Sequence, residues 1–139
     1  MASDFTTYLA SNLLDWVTNN GVALTRPTAL YIALFTADPT ASGVFTNEIS
    51  TSGTAYARQS VAFNDSGGTN TTENTSKITF PTATASWGTV THFAIVDSDV
   101  EGAGNQLYND QLTASKAVGI GDTFEFAAGA IDLTHSTAD

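Results

Sequence analysis

Asp97, Asp99 and Glu101 stand at alternate positions and are followed at once by Gly102. Carboxylates at that spacing, ahead of a turn-making glycine, match the first half of an EF-hand calcium loop. The second half is missing. Tyr108 occupies the place of the bidentate glutamate, and no helical pattern comes after it. Two readings are open: a simpler calcium loop built from these carboxylates and backbone carbonyls, or a solvated acidic turn between strands. Other chemistry-bearing residues are sparse. His92 and His135 are the only histidines, and no spacing around them supplies a metal's usual ligand set. His92 therefore reads as a core-edge or interface residue. There is no Gly-x-Ser-x-Gly nucleophile elbow and no phosphate-cradling glycine loop ending in Lys-Ser/Thr. Asp97, Asp99, Glu125 and Asp132 are available as carboxylates for glycoside hydrolysis, but their spacing sets no two of them across a sugar-sized cleft. The chain reads as non-enzymatic, with no cofactor.

The elements that would position these residues are mostly strands. In Lys77–Asp97, Trp87, Thr89, Thr91, Phe93 and Ile95 fall on one parity and Gly88, Val90, His92, Ala94 and Val96 on the other. That is the two-residue period of a strand, and Pro81 punctuates its approach. Ala29–Phe35 is a continuous apolar run, which predicts a strand buried on both faces. Tyr56–Phe63 alternates, with Ala57, Gln59, Val61 and Phe63 together. Gln106–Leu112, Thr123–Ala127 and Ala130–Thr134 are further strands, with Gly119–Asp122 as a turn. The stretch Asn64–Ser76 holds no apolar residue and predicts a solvated, mobile loop. Its sequons at Asn64, Asn70 and Asn74 arise easily in a Thr-rich segment and do not imply glycosylation. Asp97–Asn105 is a second polar loop.

One helix leads the chain. Ser3 or Asp4 can cap it, Phe5, Leu9, Leu13 and Trp16 recur at helical spacing with Tyr8 beside them, and Asn19-Asn20-Gly21 stops it. The stripe docks either on the sheet or on a neighbouring subunit. Trp16, Trp87 and Tyr31 read as core residues. Tyr56 and Tyr108 fit either the core or a surface that binds a partner or a sugar, since each joins an apolar ring to a polar tip. The interface candidates are therefore Phe5, Tyr8, Trp16, Tyr56 and Tyr108. The expected fold is mainly β, a sandwich or barrel of about seven or eight strands with one N-terminal helix. It forms a single domain over residues 1–139, with the helix at 4–20 and the sandwich at 28–135.

Composition narrows the function classes. The chain has 139 residues, 42% of them hydrophobic, and no cysteine, so disulfides and thiolate chemistry are excluded. Four basic residues face fourteen acidic ones for a net charge of −10. Arg26, Arg58, Lys77 and Lys116 are scattered singly and form no basic patch, which argues against nucleic acid and anionic membranes as partners. The acidity serves solubility. No apolar run approaches the roughly 18 residues that span a bilayer, and no secretory leader is visible.

Four stretches carry a resemblance: LYIALFTADPT (Leu30–Thr40), YARQSVAF (Tyr56–Phe63), ITFPTATASWGTVTHFAIVD (Ile78–Asp97) and GDTFEFAAGAIDLT (Gly121–Thr134). Together with the leading helix, FTTYLASNLLDWV (Phe5–Val17), the chain resembles a family of small virion structural proteins of tailed bacteriophages, described variously as tail-fibre, minor structural or head-decoration proteins. The resemblance implies a non-enzymatic virion component. The chain lacks the extended shaft or repeat usual in a receptor-binding fibre. A capsid decoration or cement protein on the outer surface of the phage head is therefore expected. Its partners would be the phage major capsid protein and, by the symmetry of the lattice, two further copies in a homotrimer. The alternative is a tail-associated or tail-fibre protein that binds a host-surface glycan.

Overall fold

A computed structural model describes residues 4–22 and 24–137. In chain order the elements are β1 (Asp4–Phe5), α1 (Thr7–Val17), β2 (Leu30–Phe35), β3 (Gln59–Val61), β4 (Thr71–Glu73), β5 (Ile78–Thr79), β6 (Gly88–Val96), β7 (Gln106–Val118), β8 (Glu125–Phe126) and β9 (Asp132–Thr134). The main sheet is antiparallel throughout and runs β1-β7-β6-β2-β3. Two ribbons, β4-β9 and β5-β8, complete the strands. The architecture is mainly β with one helix, as the alternation predicts.

The apolar run of β2 is buried on both faces, with Ile32, Ala33, Leu34 and Phe35 all fully enclosed. Its alternate side chains serve two cores. Ile32 and Leu34 enter the larger one, while Ala33 and Phe35 face the other way and pack with Ala94, Val96, Tyr31 and Phe45. The larger core lies between the main sheet and a second layer carried by the ribbons and their flanking segments. There Phe80 meets Phe124 edge-on at 5.7 Å and Trp87 at 6.4 Å, and Phe93 reaches across from β6 to Phe126 at 5.6 Å. Such edge-to-face pairs add about 0.5–1.5 kcal/mol each beyond their burial.

The strict parity expected for Lys77–Asp97 does not survive. The segment is two strands, β5 and β6, separated by Pro81 and a turn, and Trp87 precedes β6 while still buried in the core. Within β6 the pairing with β7 jumps from Val90↔Lys116 to His92↔Gln111. This irregularity moves Val90 into the core that holds Phe93 and Ile95, where unbroken alternation would have put it with Ala94 and Val96. The surplus residues lie on β7, which passes from Lys116 to Gln111 while β6 passes from Val90 to His92, and such bulges disrupt the ladder and twist the pair locally.

Asn64–Ser76 is also more structured than its composition implies. It contains β4, paired to β9, and Asn74 is fully buried. The Asn74 amide donates to the carbonyls of Ser76 (2.9 Å) and Ala127 (3.0 Å), and its Oδ1 accepts from the Ile131 N–H at 2.9 Å. One polar side chain thereby supplies the bonds that a buried backbone requires. The remaining strands differ in extent. Gln106–Leu112 continues to Val118, whereas Tyr56–Phe63, Thr123–Ala127 and Ala130–Thr134 shorten to β3, β8 and β9.

The helix starts later than expected. Asp4 is in β1, opposite Asn109, and Ser3 lies outside the described residues. The cap is Thr6, whose Oγ1 accepts from the Leu9 N–H at 3.3 Å and donates to the carbonyl of Gln106. The stop agrees with the sequence: α1 ends at Val17, and Asn19 (φ 58°) and Gly21 (φ 64°) take the left-handed turn.

Candidate interaction surface

Of the carboxylates that suggested a calcium loop, Asp97 and Glu101 are engaged separately and Asp99 is exposed. Asp97 accepts from the Asn105 backbone N–H (2.7 Å) and its side-chain amide (3.0 Å), closing the 97–105 loop on itself. Gly104 has φ 82° and a Cβ there would sit 2.6 Å from Ser98 Cβ, so the loop closes only around glycine. Glu101 turns away to accept from the N–H (2.9 Å) and hydroxyl (2.6 Å) of Thr51. Among the described residues no three His, Cys, Asp or Glu side chains gather where they could hold a metal, and Asp97, Asp99 and Glu101 are not brought together as such a group. Of the other carboxylates, Glu125 pairs with Lys77 at 2.8 Å on the surface and Asp132 lies on β9 opposite Glu73.

The same loop is held from within by residues that read in the sequence as isolated charges. Arg58 forks onto Glu48 through Nε (2.7 Å) and Nη2 (2.8 Å), with both side chains essentially without exposure. Its Nη1 donates to the carbonyls of Ser98 (2.7 Å) and Ala103 (2.9 Å), and the guanidinium lies 5.1 Å from the centre of the Phe45 ring. Glu48 also accepts from the Tyr56 hydroxyl (3.0 Å) and the Gly102 N–H (2.8 Å). A buried pair is tolerable only when its remaining hydrogen-bonding capacity is used, and here it is. The signal was present, since Arg58 interrupts an otherwise uncharged segment, but its partner lies outside that strand.

The five interface candidates separate. Tyr56 is 2% exposed, and its hydroxyl accepts from the Leu34 N–H at 3.0 Å. It is a core residue and presents nothing to a partner or a sugar. Burial and the adjacent Glu48 carboxylate both push its ionisation upward. Tyr108 is half-buried on β7, 5.3 Å from the Phe5 ring, with its hydroxyl 2.7 Å from His135 Nε2. Phe5 and His135 meet edge-on at 4.6 Å, so these three rings form one cluster that joins β1, β7 and the segment after β9. Burial pushes the Tyr108 hydroxyl up to about 12.

Tyr8 and Trp16 remain at the surface, 39% and 57% exposed. Trp16 is therefore not the core residue its spacing suggested. The helix has no buried residue at all. Leu9, Leu13 and Trp16 instead line one wall of an apolar groove of about 670 Å³, completed by Leu24, Pro27 and Leu107, with Arg26 and Asp97 also on its lining. Beside it Leu14 and Val17 project outward, 63% and 65% exposed. Of the eight large apolar side chains exposed among the described residues, five (Tyr8, Leu14, Trp16, Val17 and Val22) belong to α1 and the segment after it. Concentrated apolar exposure marks an interaction surface, whereas scattered apolar residues do not. The sequence held this second stripe, since Ala10, Leu14 and Val17 also keep helical spacing next to the first.

No helix among the described residues is long and apolar enough to cross a membrane. No curated protein matches the chain. The family model described as "Podophage GP4 fiber I protein gp80" matches residues 4–134, from β1 through β9. On that match, spanning nearly the whole chain, the protein belongs to this family of tailed-phage virion structural proteins.

Proposed function

We propose that the chain is a structural subunit of the phage tail-fibre apparatus that works through surface contacts and not through catalysis. The observation that carries this reading is the family description, which names a fibre protein over residues 4–134. It supports the tail better than the capsid-decoration role expected from the lack of a fibre shaft. The geometry is compatible with a contact role. Arg58, Glu48 and Asp97 are tied up in bracing the fold, while five of the eight exposed large apolar side chains among the described residues are gathered on one helix and its adjoining segment. Localisation on the particle tests the proposal. Antibody-gold labelling or imaging of virions should place the protein on the tail, and signal spread over the head lattice would return it to the decoration reading.

A further inference from the structure

We infer that Asn20 is a site of spontaneous covalent modification, a deamidation that turns the stop of α1 from a bonded cap into a repulsive one. Of the nine asparagines, Asn20 alone is followed by glycine. The reaction requires the backbone nitrogen of the next residue to reach the side-chain carbonyl carbon, and a Cβ on that residue stands in the way. Asn20 and Gly21 are both exposed, and among the described residues no hydrogen bond engages the Gly21 N–H. The nucleophile is free and water has access. Gly21 makes its left-handed turn (φ 64°) beside the Asp15 carboxylate, where a Cβ would sit 3.1 Å from Oδ2. The residue that the helix stop demands is therefore also the one that leaves the reaction unhindered.

The Gly21 nitrogen forms a bond to Asn20 Cγ, the Cγ–Nδ2 bond breaks, and ammonia leaves with the proton that the backbone nitrogen gives up. Water, the sole co-reactant, then opens the succinimide ring. Cleavage on its side-chain side leaves aspartate. Cleavage on its main-chain side leaves isoaspartate, with the backbone routed through Cγ. Either product lacks Nδ2, which in the parent chain donates to the Thr18 carbonyl at 3.0 Å and to Thr18 Oγ1 at 3.1 Å. A carboxylate then stands at the negative end of the helix dipole, and α1 has no basic residue in its last turn to offset it. The last turn, which carries the exposed Trp16 and Val17, should fray as a result.

Peptide mapping by mass spectrometry of the folded full chain, held in mildly alkaline buffer, tests the inference. Asn20 should convert several-fold faster than any other asparagine, with isoaspartate among its products. Asn20→Gln should abolish conversion at this position, because a glutamine must close a larger ring. Asn20→Asp installs the carboxylate directly and should lower the helical circular-dichroism signal and the melting temperature. Conversion at Asn20 no faster than at the exposed Asn70, or an Asn20→Asp chain with the helical signal of the parent, would overturn the inference.

Discussion

Arg58 spends its whole guanidinium on the interior: four hydrogen bonds to Glu48, Ser98 and Ala103, and a ring face at Phe45. Removing one member of a buried pair strands the other charge, which costs about 3–5 kcal/mol. Arg58→Met should lower the unfolding free energy by that amount in urea titrations. Adding Glu48→Leu should recover part of the loss, because no carboxylate is then left unpaired. Arg58→Lys should also destabilise, since an ammonium cannot span both carboxylate oxygens and two carbonyls in one plane. A second residue-scale consequence comes from Tyr108, whose hydroxyl burial pushes up to about 12. The unfolded chain ionises its tyrosines near 10, so above that pH the native state holds a proton that the unfolded state has released. Stability should be full below about pH 10 and fall as pH rises toward 12. Tyr108→Phe should flatten part of that fall in melts taken across the range, and a slope unchanged by the substitution would contradict this.

At the scale of elements, α1 is held mainly through its start. Thr6 both caps the helix and bonds back to β7, so Thr6→Ala should cost about 1–2 kcal/mol and reduce the helical signal at 222 nm. Asn74→Ala should be comparably damaging, on the order of 1–3 kcal/mol, because the buried Ile131 N–H loses its acceptor. These two residues also show where reading the chain succeeds and where it stops. β2 is legible because a continuous apolar run has few other fates, and the helix stop because Asn-Asn-Gly suits the left-handed turn. Asn74 is not legible. Its segment is polar throughout, and hydropathy cannot tell a solvated amide from one satisfied by three backbone groups. The strand at Thr113–Val118 escapes for a related reason, since Thr113–Ala117 are exposed and leave no alternation to read. The Glu48–Arg58 pair and the open face of α1 are tertiary facts. The same apolar stripe is written whether a helix packs on its own sheet or waits for another surface.

For the whole molecule, charge decides which encounters are productive. With four basic residues against fourteen acidic ones, and Arg58 enclosed, no positive surface remains that could neutralise successive phosphates. The protein should pass through a DNA-cellulose column even at about 50 mM salt, and retention there would show a cationic face that the fold does not provide. The main sheet sets a further limit. It is bounded by strands of two and three residues, β1 and β3. The exposed end of β7 beyond β1 carries Lys116 and lies across the jump in register. In a particle that crowds many copies into a small space, long bare edges would let neighbouring sheets fuse into an endless ladder. Here any such fusion at β1 or β3 runs out after two or three residues. At these two edges growth by backbone pairing is self-terminating.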